Sequence, residues 1–236
     1  MSSFGQAIIL VLVGFIPSLI WLIYYLRNDC HPEPKSLIAR TLFAGILVAP
    51  LAVIAQWIFG QVALLINPDF HTSASLTFFL WAALIEEWVK YLAVKYTVLQ
   101  NPNFDEPTDA MIYMISASLG FAAIENILVL FQAIPNGASA TVQIWLFRFV
   151  GATLLHAVSS ALFGYFIGLS WFYLHHSKKI FWVGLLAATF SHFVFNIALL
   201  TANSHVIGFI ASTSALLILV ILISWLFTRL RQRMIC

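Results

Sequence analysis

The sequence predicts an all-α fold: a polytopic transmembrane helix bundle of about seven helices, N-terminus outside and C-terminus cytoplasmic. Three observations predict it. Apolar residues fill 62% of the 236 positions, against about 45–50% in soluble domains. Charged residues fill only 8%, against about 25%. The apolar residues also gather into seven runs of about 20 residues or more, the length that crosses a hydrocarbon core of about 30 Å. A soluble enzyme, a disordered tail and a nucleic-acid binder all need more polar surface than this chain has, so no nucleic-acid partner is expected. No long polar stretch offers a second unit, and residues 1–236 read as a single transmembrane domain.

The runs are justified in order by what fills and bounds them. Residues 7–26 are apolar up to Arg27, and 41–66 follow the Pro-rich stretch His31-Pro32-Glu33-Pro34-Lys35. The second run is long for one span and contains Pro50, so it is expected to tilt or kink. Run 76–95 carries Glu86, Glu87 and Lys90 and ends on Lys95. Run 110–133 opens after Asp109 and contains Glu125 and Asn126. Run 144–173 contains Arg148, His156 and the Gly164-x-x-x-Gly168 spacing, which predicts close helix packing. Run 180–201 holds His192 and Asn196, and 206–228 precedes Arg229, Arg231 and Arg233.

Basic residues orient the bundle. Arg27, Lys35 and Arg40 lie between the first two runs, Lys95 ends the third, and Lys178 and Lys179 lie between the fifth and sixth. With Arg229, Arg231 and Arg233 after the seventh, all fall on one side, and the opposite segments (1–6, 67–75, 134–143, 202–205) hold no Lys or Arg. The positive-inside rule makes that side cytoplasmic. An even number of spans would spoil the separation. The two cysteines, Cys30 and Cys236, are too few and too scattered for a disulfide framework or a thiolate metal site.

Several ionisable groups remain within apolar runs: Glu86, Glu87, Lys90, Glu125, Arg148, His156 and His192. A charge at mid-membrane costs about 2.5–3.5 kcal/mol even on the lenient insertion scale, so pairing or function must offset it. At about 1.5 Å per residue, Glu86 lies roughly 16 Å deep, Glu125 13 Å, His156 18 Å and His192 13 Å from the outer ends of their helices. Four helices thus bring ionisable groups to a similar level. Glu86 and Lys90 are spaced i,i+4 for an ion pair, and Glu87 is turned away without a visible partner. Arg148, near its helix end, is expected to snorkel to the outer interface.

Two histidines and a carboxylate suit Zn²⁺ with one position open to water. His156, His192 and Glu125 are the candidate ligands, Glu86 or Glu87 the general base, and Asn196 an oxyanion donor. The same residues also suit a metal-free route in which a glutamate activates water directly. The implied reaction is amide hydrolysis within the membrane.

These residues also carry a family resemblance. Glu86-Glu87-Trp88-Val89-Lys90 resembles the EExxK motif of PrsW-type intramembrane proteases, and Phe121 through Glu125-Asn126 resembles their FxxxEN segment. His156 matches the lone motif histidine, and His192 through Asn196 matches HxxxN. Glu33-Pro34-Lys35 and Asp109 also resemble family features, and the likeness runs in order from about residue 24 to 200. The related CAAX-processing and bacteriocin-immunity proteases carry EExxxR and FxxxH, so Glu125 stands where they have a histidine. The resemblance implies proteolysis of a membrane-embedded or membrane-adjacent protein, in the bacterial prototype an anti-sigma factor, at a prokaryotic plasma membrane. Two other functions fit the buried polar set: an ion- or proton-coupled transporter using it as a relay, and a non-catalytic membrane scaffold. His31, His71 and His205 read as loop residues, and His175 and His176 as an interfacial pair.

Overall fold

A computed structural model describes residues 3–27, 31–173, 177–200 and 205–232; Cys30, His175, His176 and Cys236 lie outside these. The described residues form helices α1 (Ser3–Leu26), α2 (Lys35–Ile66), α3 (Leu76–Thr97), α4 (Pro107–Ala133), α5 (Ala138–Phe147), α6 (Thr153–Gly168), α7 (Lys178–Leu200) and α8 (His205–Arg231). The π-helical segments Arg148–Ala152 and Leu169–Tyr173 join α5 to α6 and extend α6 into one rod. Each of the seven apolar runs is thus a long helical body.

Six of these bodies are long and apolar enough to cross a membrane. The other is α3, whose 22 residues reach about 33 Å and include Glu86, Glu87, Lys90 and Lys95. Its polar side is covered by protein, because Glu86, Glu87 and Lys90 are all buried. Lipid therefore does not have to solvate them.

Several helices begin earlier than their apolar runs. α2 starts at Lys35 because Pro34 caps it, its carbonyl accepting the N–H groups of Leu37 and Ile38. The helix then runs unbroken past Pro50. α4 starts at Pro107, with a reciprocal capping box between Glu106 and Asp109. α5 starts at Ala138, after Gly137 takes a φ of 89° that suits a residue without a side chain.

α4 and α6 form the inner pair. Every residue of α4 from Pro107 to Ala123 is buried, and α6 is buried except at Phe166. α1, α2 and α3 pack on α4, and α7 and α8 pack on α6. Glycines permit these crossings. A Cβ on Gly45 would lie 1.9 Å from the Ala117 carbonyl oxygen, and one on Gly120 would lie 2.0 Å from that of Leu42. A Cβ on Gly164 or Gly168 would lie 2.5 or 2.4 Å from the carbonyl oxygen of Ala110 or Pro107, which is the close packing their spacing predicts.

Candidate active site

Four helices and one neighbour build a single polar cluster midway through the bundle. α3 supplies Glu86, Glu87 and Lys90, α4 supplies Glu125 and Asn126, and α6 supplies His156, Ser159 and Ser160. α7 supplies His192, and Gln56 reaches in from α2. The groups expected at matching depth therefore do meet. The two imidazole rings stand edge to face with centroids 5.0 Å apart.

Glu86 lies at the centre. Its Oε1 accepts from Gln56 Nε2 at 3.0 Å. Its Oε2 is buried and has no hydrogen-bond partner. That oxygen is 3.6 Å from His192 Nε2 and 3.9 Å from both His156 Nδ1 and Lys90 Nζ. Glu86, His156 and His192 each offer one donor atom, all within 4.8 Å of one another.

Glu87 is not the partnerless residue that its spacing suggests. Lys90 Nζ lies 2.8 Å from its Oε1, closer than to Glu86. Ser159 Oγ and His192 Nδ1 also reach Oε1, at 3.0 and 3.1 Å, and Ser160 Oγ donates to Oε2 at 2.8 Å. Four donors saturate this carboxylate. With Nδ1–H given to Glu87, His192 presents its Nε2 lone pair towards Glu86.

His156 is braced on both nitrogens. Lys90 Nζ donates to Nδ1 at 2.9 Å, which makes Nε2–H the donor to Glu125 Oε2 at 2.8 Å. Arg148 does not snorkel outward. Its Nη2 lies 3.2 Å from Glu125 Oε2 and its Nε donates to Asn126 Oδ1 at 2.7 Å. Asn126 in turn donates to Thr153 Oγ1 at 3.0 Å. Glu125 and Arg148 keep 27% and 19% side-chain exposure, so this edge of the cluster is its open side. Asn196 lies one turn beyond His192, half-buried, and its side chain makes no hydrogen bond among the described residues.

The residues that sequence reasoning missed are Gln56, Ser159 and Ser160. The serines sit three and four positions after His156, on its helix face, so helical spacing carried a signal for them. Gln56 stands alone in an apolar run, which is a weaker one.

The donor set fits a metal ion. One carboxylate and two neutral imidazoles are a ligand set for a first-row divalent metal. Carboxylates behind both imidazoles supply the outer shell that fixes such ligands. The buried, unpartnered Oε2 of Glu86 is the kind of atom that a cation would satisfy.

The description "PrsW family intramembrane metalloprotease" belongs to the family model that matches residues 33–226. A Protease PrsW of Geobacillus kaustophilus is 31% identical over 192 residues, 81% of this chain and 80% of that protein. One from Oceanobacillus iheyensis is 32% identical over 188 residues, covering 79% and 80%, and one from Bacillus subtilis is 27% identical over 163 residues, covering 67% of each. No solved structure matches the chain. These matches support a protease rather than a transporter, and they imply a metal and membrane-protein substrates. Its apolar helices and bacterial relatives make it a multi-pass protein of the bacterial plasma membrane. The chain belongs to the PrsW family of intramembrane metalloproteases.

Proposed function

We propose that the protease hydrolyses peptide bonds at a zinc ion held by Glu86, His156 and His192, and that its substrate is an anti-sigma factor-like membrane protein. The observation that carries the metal assignment is the convergence of three buried donor atoms beside the unpartnered Oε2 of Glu86. The substrate class rests on the family resemblance alone. When bound, zinc supplies a Lewis acid that polarises the scissile carbonyl and acidifies water.

The chain's own residues divide the remaining work. Glu87 holds the proton on Nδ1 of His192, keeping Nε2 free as a ligand. Lys90 holds the Nδ1 lone pair of His156 and can retire to Glu87, to which it already donates at 2.8 Å. Glu125 is the general base. Its Oε1 has no hydrogen-bond partner among the described residues, and the residue lies on the open side of the cluster. It takes a proton from the attacking water and returns it to the leaving amine. Asn196 offers an amide N–H to the oxyanion. This exchanges the roles that spacing suggests for Glu86 and Glu125, because Glu86 is buried at the centre and Glu125 is not.

The test compares purified wild type with Glu86→Gln, His192→Ala and Glu125→Gln for metal content and for cleavage of single-span membrane substrates, anti-sigma factors among them. Wild type is expected to hold about one zinc per chain. The first two variants lose metal and cleavage together, and Glu125→Gln keeps metal but loses cleavage. Cleavage that survives verified removal of all metal would overturn the zinc assignment in favour of direct glutamate activation of water.

A further inference from the structure

A second cluster of ionisable groups lies at the end of the bundle where the connecting segments carry Lys and Arg. Glu33 precedes α2, Asp105 lies between α3 and α4, and Asp109 is in the first turn of α4. One carboxylate oxygen from each lies within 4.8 Å of the other two.

Asp109 makes this more than an acidic patch. Its side chain is fully buried. Oδ2 accepts the backbone N–H groups of Asp105 at 3.0 Å and Glu106 at 2.7 Å, which completes its capping role. Among the described residues no N–H or hydroxyl donor reaches Oδ1, which is buried, and the carboxyl group of Glu33 lies within hydrogen-bond reach of Asp109. Two carboxyl groups thus face each other with no described cationic side chain between them, a pairing that needs a proton or a cation. Neither Asp105 nor Asp109 has a Lys, Arg or His in ion-pair range among the described residues. The nearby His31 pairs with Glu106, and the Tyr113 hydroxyl donates to Glu33 Oε2.

A buried carboxylate oxygen needs a proton or a cation. An all-oxygen set suits hard cations such as Ca²⁺ and Mg²⁺ and lacks the nitrogen donors of a zinc site.

We propose that Glu33, Asp105 and Asp109 form a second cation site, distinct from the histidine cluster, that binds a hard divalent cation and ties the start of α2 to the start of α4. Both helices serve the active site, α2 through Gln56 and α4 through Glu125. Occupancy therefore fixes their relative position from the end of the bundle whose connecting segments carry Lys and Arg. This site stands independently of where the catalytic metal sits.

The test uses the full chain in detergent micelles, stripped with chelator and titrated calorimetrically with CaCl₂ and separately with MgCl₂. Asp105→Asn removes an exposed ligand without touching the cap. Glu33→Gln is the second variant, and His192→Ala is the control for the other site. Wild type is expected to bind about one cation per chain with Kd of about 10⁻⁴–10⁻³ M. Both ligand variants weaken this at least about tenfold, roughly 1.4 kcal/mol, and His192→Ala leaves it unchanged. Absence of saturable binding up to about 10 mM of either cation would overturn the proposal and leave a proton between the carboxyl groups. Binding lost in His192→Ala but kept in Asp105→Asn would overturn it too, by assigning the cation to the active site.

Discussion

Removing the charge of Glu87 measures how far the polar cluster holds the bundle together. Glu87 and Lys90 are both completely buried, and Nζ stands 2.8 Å from Oε1. Unit charges about 4 Å apart attract by about 4 kcal/mol at an effective dielectric constant of about 20, and more at closer range. Deleting one partner of a buried pair costs about 3–5 kcal/mol, because the other charge stays buried and uncompensated. Glu87→Gln falls at the upper end, since the carboxylate accepts from Lys90, Ser159, Ser160 and His192, and an amide turns an N–H₂ group towards some of these donors. Total stabilities of about 5–15 kcal/mol make this a large fraction. The assay is denaturant unfolding of the metal-free protein in micelles, followed by tryptophan fluorescence, for Glu87→Gln, Lys90→Met and the double variant. Each single variant is expected to lose about 3–5 kcal/mol. The double variant should lose less than the sum of the two by about 2 kcal/mol or more, because it leaves no orphan charge between 87 and 90. A Glu87→Gln protein within about 1 kcal/mol of wild type, the range of an exposed pair, would refute the reasoning. So would strict additivity.

Two further predictions concern the frame around the site. Gly45→Ala and Gly120→Ala place a methyl group about 2 Å from a backbone carbonyl that cannot turn aside, so both are expected to abolish a monodisperse gel-filtration peak. Gly60→Ala meets only the Thr72 methyl group at 3.3 Å and should stay within about 1 kcal/mol of wild type. Gln56→Leu frees Oε1 of Glu86 and is expected to lower cleavage by about 10–100-fold, the usual effect of losing an outer-shell hydrogen bond, with little change in thermal midpoint. Unaltered cleavage would show that Glu86 needs no such support.

The seven helical bodies were legible because apolar runs of membrane length have few other uses. Their ends were less so. Lys35 and Arg40 read as loop residues, yet long basic side chains at a membrane surface do not interrupt a helix, and α2 includes both. The polar cluster was legible as a set: Glu86, Glu87, Glu125, His156 and His192 meet as their depths require. Their pairings were not. Lys90 can reach a glutamate three or four positions before it, and the choice of Glu87 is reinforced by His192, Ser159 and Ser160 from other helices. Arg148 has two fates open to it in sequence, and the three-dimensional proximity of Glu125 and Asn126 decides for the inward one. Gly164 and Gly168 announce their role by spacing. Gly45 and Gly120, on different helices, do not.

The burial of α4 and α6 has a consequence for how the enzyme meets its surroundings. Bilayers differ in thickness, and a helix in contact with acyl chains answers a mismatch by tilting, at fractions of a kcal/mol per Å. α1, α2, α7 and α8 carry most of their surface outward and take up that adjustment. α4 and α6, which bear Glu125 and His156, meet acyl chains chiefly through their neighbours. Glu125 and His156 are thereby insulated from membrane composition, whereas His192 rides on α7, in the outer ring. Any dependence of cleavage on lipid should enter through α7 and through substrate passage between the outer helices, not through α4 and α6.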